Sequence, residues 1–171
     1  FLPFMTKRGP YLISMETWKK ILECERYEAK PYHPGDRSSG VTLGIGYDLG
    51  QQSKSKIYKD LSPFYSSEQI KRLLEAQGKS GSAAAALVPK LIDIRISKEK
   101  ALHLATALKT RYAQQVLIIY PKTLELHPHC QGVLLSLVFN RGISLNDRKG
   151  QLTRKHMRQI KEAFENNKVN T

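Results

Sequence analysis

Apolar residues recur every three or four positions over most of this chain, and every second position over one short stretch. Met15, Trp18, Leu22 and Glu25 fall on one helical stripe, with Ser14 placed as an N-cap and Glu16 in the first turn. Ser66 or Ser67 can cap a helix carrying Ile70, Leu73 and Leu74. Gly78-Lys79-Ser80-Gly81-Ser82 breaks the chain before an alanine run. Ser97 opens a long helix with Ala101, Leu104, Leu108, Tyr112, Val116 and Ile119 on its apolar side, stopped by Pro121. Pro128 suits the first turn of a helix to Phe139 that is apolar nearly all round, the mark of a core helix. A last helix is predicted over 151–165. Residues 28–50 hold Pro31, Pro34, Gly35 and Gly40 and predict turns and short strands. Residues 1–13, with Pro3 and Pro10, read as an irregular leader ahead of a single domain over 14–171. The expected fold class is α+β, mostly α, with a small early hairpin.

The period-two stretch is Ser-Gly-Val-Thr-Leu-Gly-Ile-Gly-Tyr-Asp-Leu-Gly-Gln at 39–51. Val41, Leu43, Ile45 and Tyr47 make one bulky edge; Thr42, Gly44, Gly46 and Asp48 make the other. Glycine lets a ligand approach the backbone closely, so this second edge reads as the wall of a cleft. An ordinary strand weakened by glycines gives the same pattern.

The chain has 171 residues, enough for one domain with a real core. No apolar run is long enough to span a membrane, and Phe1–Met5 is too short for a signal-peptide core. The chain does not begin with Met and reads as a processed product or a fragment. Lys and Arg total 28 against 15 Asp and Glu, a net charge of +13, which predicts attraction to polyanions. Nucleic acid is one candidate. However, the aromatics are not interleaved with the basic residues, and no nucleic-acid-binding motif is present, so no specific nucleic-acid partner is expected. The anionic bacterial wall is the other candidate. Cys24 and Cys130 are compatible with one disulfide or two buried thiols.

Three segments resemble the phage lysozyme (muramidase) superfamily. Ser39–Gln51 is similar to its Thr-Ile-Gly-x-Gly hairpin, and the Asp-Leu-Gly-Gln extension looks most like the pesticin-like branch of bacteriocin and toxin-effector lysozyme domains. Ile21–Tyr27 resembles the helix end where a Glu precedes a Gly-aromatic pair, with Arg26 in place of the Gly. Leu135–Gly142 resembles a Phe-Asn-x-Gly helix. The resemblance implies a lysozyme-like fold with a small N-terminal β-hairpin lobe and a helical lobe. It implies inverting hydrolysis of the β-1,4 bond between N-acetylmuramic acid and N-acetylglucosamine. It also implies peptidoglycan as partner, secretion or delivery to the bacterial periplasm or cell wall, and a monomer needing no cofactor, and it is compatible with an immunity or inhibitor protein that the sequence itself does not reveal.

Glycoside hydrolysis normally uses two carboxylates on opposite sides of the scissile bond, one kept protonated by an apolar setting. Helical phase and the resembled motif both select Glu25 as general acid. Glu23 lies about 200° round the helix from it and should face solvent, and Glu28 falls past the helix end. The second carboxylate is Asp48 or Asp36, each six positions from Thr42. Asp48 follows the Thr, as in the pesticin-like arrangement; Asp36 precedes it, as in the phage-lysozyme arrangement. Side-chain parity along a strand favours Asp48; Asp36 sits in a turn-rich stretch where Asp is common for local reasons. Thr42 can orient the attacking water or be a strand-favouring β-branched residue. Tyr32, Gln51, Asn140 and Arg141 are candidate sugar-binding residues, each equally explicable structurally. His127-Pro128-His129 has no third ligand placed to join it and reads as a polar loop, so no metal is expected. The rival readings are a glycosidase on chitin or chitosan, and a non-catalytic wall-binding module.

Overall fold

The computed structural model describes residues 1–141, 145 and 154–166. In chain order the elements are β1 (Leu2–Thr6), β2 (Gly9–Ile13), α1 (Met15–Glu23), β3 (Glu28–Tyr32), β4 (Thr42–Gly44), β5 (Tyr47–Asp48), α2 (Lys54–Leu61), α3 (Ser67–Leu73), α4 (Gly81–Ala85), α5 (Lys98–Ile119), α6 (Pro128–Arg141) and α7 (Lys155–Glu165). The fold is α+β and mostly helical, with an N-terminal hairpin and a second small antiparallel sheet. The chain forms two compact units: Phe1–Leu22 with Lys109–Thr171, and Glu23–Leu108.

The first unit opens with a departure from expectation. Residues 1–13 are not irregular: β1 and β2 pair antiparallel from Leu2 opposite Ile13 to Thr6 opposite Gly9. Pro3 and Pro10 each sit where the ladder needs no N–H. The Leu12 N–H points out of the hairpin to Gln131 Oε1, 2.9 Å away. Pro3 is opposite Leu12 and Pro10 is two residues before it, so both share that outward phase. The inner face of the hairpin buries Phe4, Tyr11 and Ile13.

Ser14 caps α1 as expected, its hydroxyl accepting the Thr17 N–H at 3.2 Å. The buried face of α1 is Thr17, Trp18 and Ile21, while Met15 is half exposed, so the apolar stripe is rotated from the predicted one. The Trp18 ring meets Phe4 edge-on at 5.3 Å between centroids. Pro128 starts α6, whose Leu134, Leu135 and Val138 are buried with Val116 and Leu117 of α5. Gln131, 2% exposed, binds β2 and the turn before α6. Its Oε1 takes the Leu12 N–H, its main-chain oxygen takes the Tyr11 hydroxyl at 2.5 Å, and its Nε2 donates to Leu126 O at 2.8 Å.

In the second unit β3, β4 and β5 form one sheet in that order. Its core gathers Val41, Leu43, Ile45, Tyr47 and Leu49 with Ile57, Leu61 and Leu73 of α2 and α3 and with Ala101, Leu104 and Ala105 of α5. Ser66 caps α3 through a capping box with Gln69, and Ser97 Oγ accepts the Lys100 N–H at the start of α5.

Candidate active site

Three of the predicted site residues form one cross-strand row in the second unit. Tyr32 lies opposite Thr42 across β3–β4, and Thr42 lies opposite Asp48 across β4–β5. Directly opposed residues of antiparallel strands project from the same face. The strand expected over 41–48 is therefore a tight hairpin. Gly44 (φ 56°) and Gly46 (φ 77°) adopt the left-handed region that turns it, rather than opening a wall to a ligand. A Cβ at Gly44 would also lie 2.9 Å from the Ala101 Cβ. Thr42 and Asp48 share a face because they are opposite each other, not because they lie along one strand.

Local hydrogen bonds hold this row. The Thr42 hydroxyl, 3% exposed, donates to Gly40 O at 3.3 Å. Asp48 is half-buried and caps the short turn Leu49–Gln51: its Oδ1 accepts the Gly50 N–H at 2.8 Å. The Gly40 N–H reaches both oxygens, at 3.2 and 3.0 Å. A Cβ at Gly40 would fall 2.4 Å from Asp48 Oδ1, so only glycine admits this contact. Tyr32 is half-buried, with the Arg26 guanidinium 4.9 Å from its ring centroid and Arg26 paired to Glu28 at 2.7 Å. Burial raises the Tyr32 phenol's pKa; Arg26 works against this, and the charges of Glu28 and Glu25 add to it.

Glu25 departs from its predicted setting. Helix α1 stops at Glu23, and Glu25 sits in the bend that leads into β3. The chain has already turned toward the sheet, where Arg26 pairs with Glu28, so the helical stripe does not extend to Glu25. Glu25 is nonetheless half-buried while Glu23 is exposed, and it lies in the bend just before β3, the strand that carries Tyr32.

Asp36 is engaged otherwise. It is exposed, and its oxygens accept from Ser39 Oγ (2.6 Å), Ser38 Oγ (2.8 Å) and the N–H groups of Ser39 (2.8 Å) and Ser38 (3.0 Å). These bonds, the Ser39 and Ser38 hydroxyls foremost, hold its carboxyl well below the usual carboxylate range. A carboxylate held so low is a weak base, and its bonds organise its own loop. Gln51 supports the same loop, its Nε2 donating to Ser38 O at 3.2 Å.

Asn140 and Arg141 close α6 in the first unit; their side chains, like Gly142, lie outside the described residues. Phe139 of the same motif packs edge-on against Tyr112 at 4.8 Å and carries the buried Lys109 ammonium 3.1 Å from its centroid. Cys24 and Cys130 are both free and exposed, neither bonded nor buried as the sequence suggested. His127 Nδ1 caps α6 by accepting the His129 N–H at 3.2 Å. His129 Nδ1 meets the buried Thr17 hydroxyl at 2.8 Å, a pairing across 112 positions that no local spacing signals. Gly40 and Arg26 are the neighbours of the row that sequence reasoning gave no site role. The Arg26 substitution in the resembled motif was the available signal for one; nothing local marks the other.

The chain belongs to the family described as "Domain of unknown function (DUF8812)", whose model matches residues 17–170. No curated protein matches it.

Proposed function

We propose that this protein is a muramidase, hydrolysing the β-1,4 bond between N-acetylmuramic acid and N-acetylglucosamine in peptidoglycan. The observation that carries the reading is the row Tyr32–Thr42–Asp48, with the half-buried Glu25 in the bend that leads into β3. In this reading Glu25 donates a proton to the leaving glycosidic oxygen. Asp48, fixed by the Gly40 and Gly50 amides, accepts a proton from the attacking water, and the Thr42 hydroxyl orients that water. Tyr32 offers a ring for sugar stacking. The Asp36 loop is a support, since its carboxylate is spent on Ser38 and Ser39.

The resemblance to the pesticin-like branch adds inversion at the anomeric carbon and delivery to the bacterial wall to the same proposal. Digestion of purified sacculi, followed by mass analysis of the fragments, tests it. Reducing-end muramic acid products are expected. An anhydro product would mean a lytic transglycosylase, and cleavage of chitin oligomers with walls left intact would move the substrate to another aminosugar polymer.

One observation favours a second reading. The Thr42 and Asp48 polar groups are already bonded to Gly40 and Gly50, as a hairpin kept only for its shape would have them. A wall-binding module would sediment with sacculi and release nothing.

A further inference from the structure

The N-terminal hairpin is apolar on both faces. Its inner face is the core layer of Phe4, Tyr11 and Ile13. Its outer face carries Phe1 (74% exposed), Pro3, Met5 (64% exposed), Pro10 and Leu12, with no polar side chain among them. The register sets Pro3 against Leu12 and Met5 against Pro10, so these four form one patch, and Phe1 immediately precedes β1. At the tip stand Lys7 and Arg8, both exposed. Arg8 donates to Leu117 O at 3.2 Å and lines, with Lys7, Thr6 and Gln114, a shallow depression of about 210 Å³ beside Ile118, itself 65% exposed. Apolar side chains are thus flanked by cations on a chain whose net charge is +13.

We propose that this face docks on an anionic lipid surface, the apolar side chains entering the boundary between headgroups and acyl chains and Lys7 and Arg8 meeting lipid phosphates. Three observations select lipid over protein. The free edge of β1 is blunted by Pro3, which removes the middle outward donor that an added strand would need. These five side chains fall well short of the roughly 20–30 residues a side of a stable protein interface. Its basic rim complements an anionic leaflet, where apolar insertion and cationic attraction act together. The proposal does not depend on wall hydrolysis; it gives the protein a second surface with its own ligand.

The test is co-sedimentation of the chain with vesicles of phosphatidylcholine alone and of phosphatidylcholine mixed with the anionic phosphatidylglycerol. Binding to the mixed vesicles and little to the neutral ones is expected. Met5→Ser with Phe1→Ser, and separately Lys7→Gln, should each weaken that binding on the order of fivefold or more. Circular dichroism and the unfolding midpoint identify folded variants. Should the paired variant fail to fold, Met5→Gln and Phe1→Gln, tested singly, take its place, because both sites are exposed. Absence of binding to mixed vesicles overturns the proposal. So does binding that the face variants leave unchanged, which would assign attraction to the general basic surface. Self-association in gel filtration that Met5→Ser abolishes would also overturn it, reassigning the face to a second copy of the chain.

Discussion

Thr42 and Asp48 stand directly opposite each other across the β4–β5 hairpin, flanked by the Leu49 N–H bonded to Val41 O at 2.9 Å. Bonds beside a pair rather than within it mark the narrow kind of antiparallel pair, with side chains closer together. The hydroxyl and the carboxylate are thereby locked side by side, and Gly40 touches both.

Asp48→Asn should remove most wall-hydrolysing activity while Asp36→Asn retains it, measured as release of reducing ends from sacculi. Losing a general base costs on the order of 10²–10⁴ in rate. The reverse outcome would move the site to the phage-lysozyme arrangement.

Glu25→Gln should abolish hydrolysis with the fold intact, and Glu23→Gln should not. The contrast no longer rests on helical phase, since α1 ends at Glu23, but on burial: Glu25 is half-buried and Glu23 exposed. Equal activity in both variants would remove Glu25 from the mechanism.

Gly44→Ala should destabilise the protein by about 1–3 kcal/mol in urea unfolding, combining a left-handed backbone with a crowded Cβ. A neutral effect would mean that the hairpin relaxes away from Ala101.

The Asp36 loop predicts an acid-sensitive difference. The folded-state carboxyl is held below its ordinary value of about 4, so its bonds stabilise the protein above that pH. The contribution declines as pH falls below about 4. The stability gap between the parent and Asp36→Asn should therefore be widest near pH 7 and begin to shrink only below about pH 4. A gap independent of pH would show that the Asn amide replaces the carboxylate fully.

Trp18→Ala should cost about 3–5 kcal/mol, because the ring is 8% exposed and packs on Phe4. Thermal unfolding reads this directly.

The helices were legible because their signals are local: Ser14, Ser66 and Ser97 cap as their spacing suggests, and Pro121 and Pro128 bound the core helices. The alternation at 41–48 also picked the right buried residues, Val41, Leu43, Ile45 and Tyr47. It missed the turn, because glycines that reverse a chain and glycines that open one are the same letter. Pro3 and Pro10 misled for a related reason. Proline forbids a strand only where its N–H would be used, and here the register turns those positions outward, where the Leu12 N–H meets Gln131, 119 positions away. The partners of Asp48 were hidden similarly, since main-chain amides leave no trace in the sequence.

Gln131 has a consequence for where this domain can be cut. The family match begins at Thr17, after both strands of the N-terminal hairpin. A protein trimmed to that boundary would lose Phe4 from Trp18, and Tyr11 and Ile13 from the core. It would also leave the Gln131 Oε1 and main-chain oxygen without the Leu12 and Tyr11 donors they accept from. The first sixteen residues therefore act as a structural lid sewn into α6, and a shortened version should be expressed with them attached.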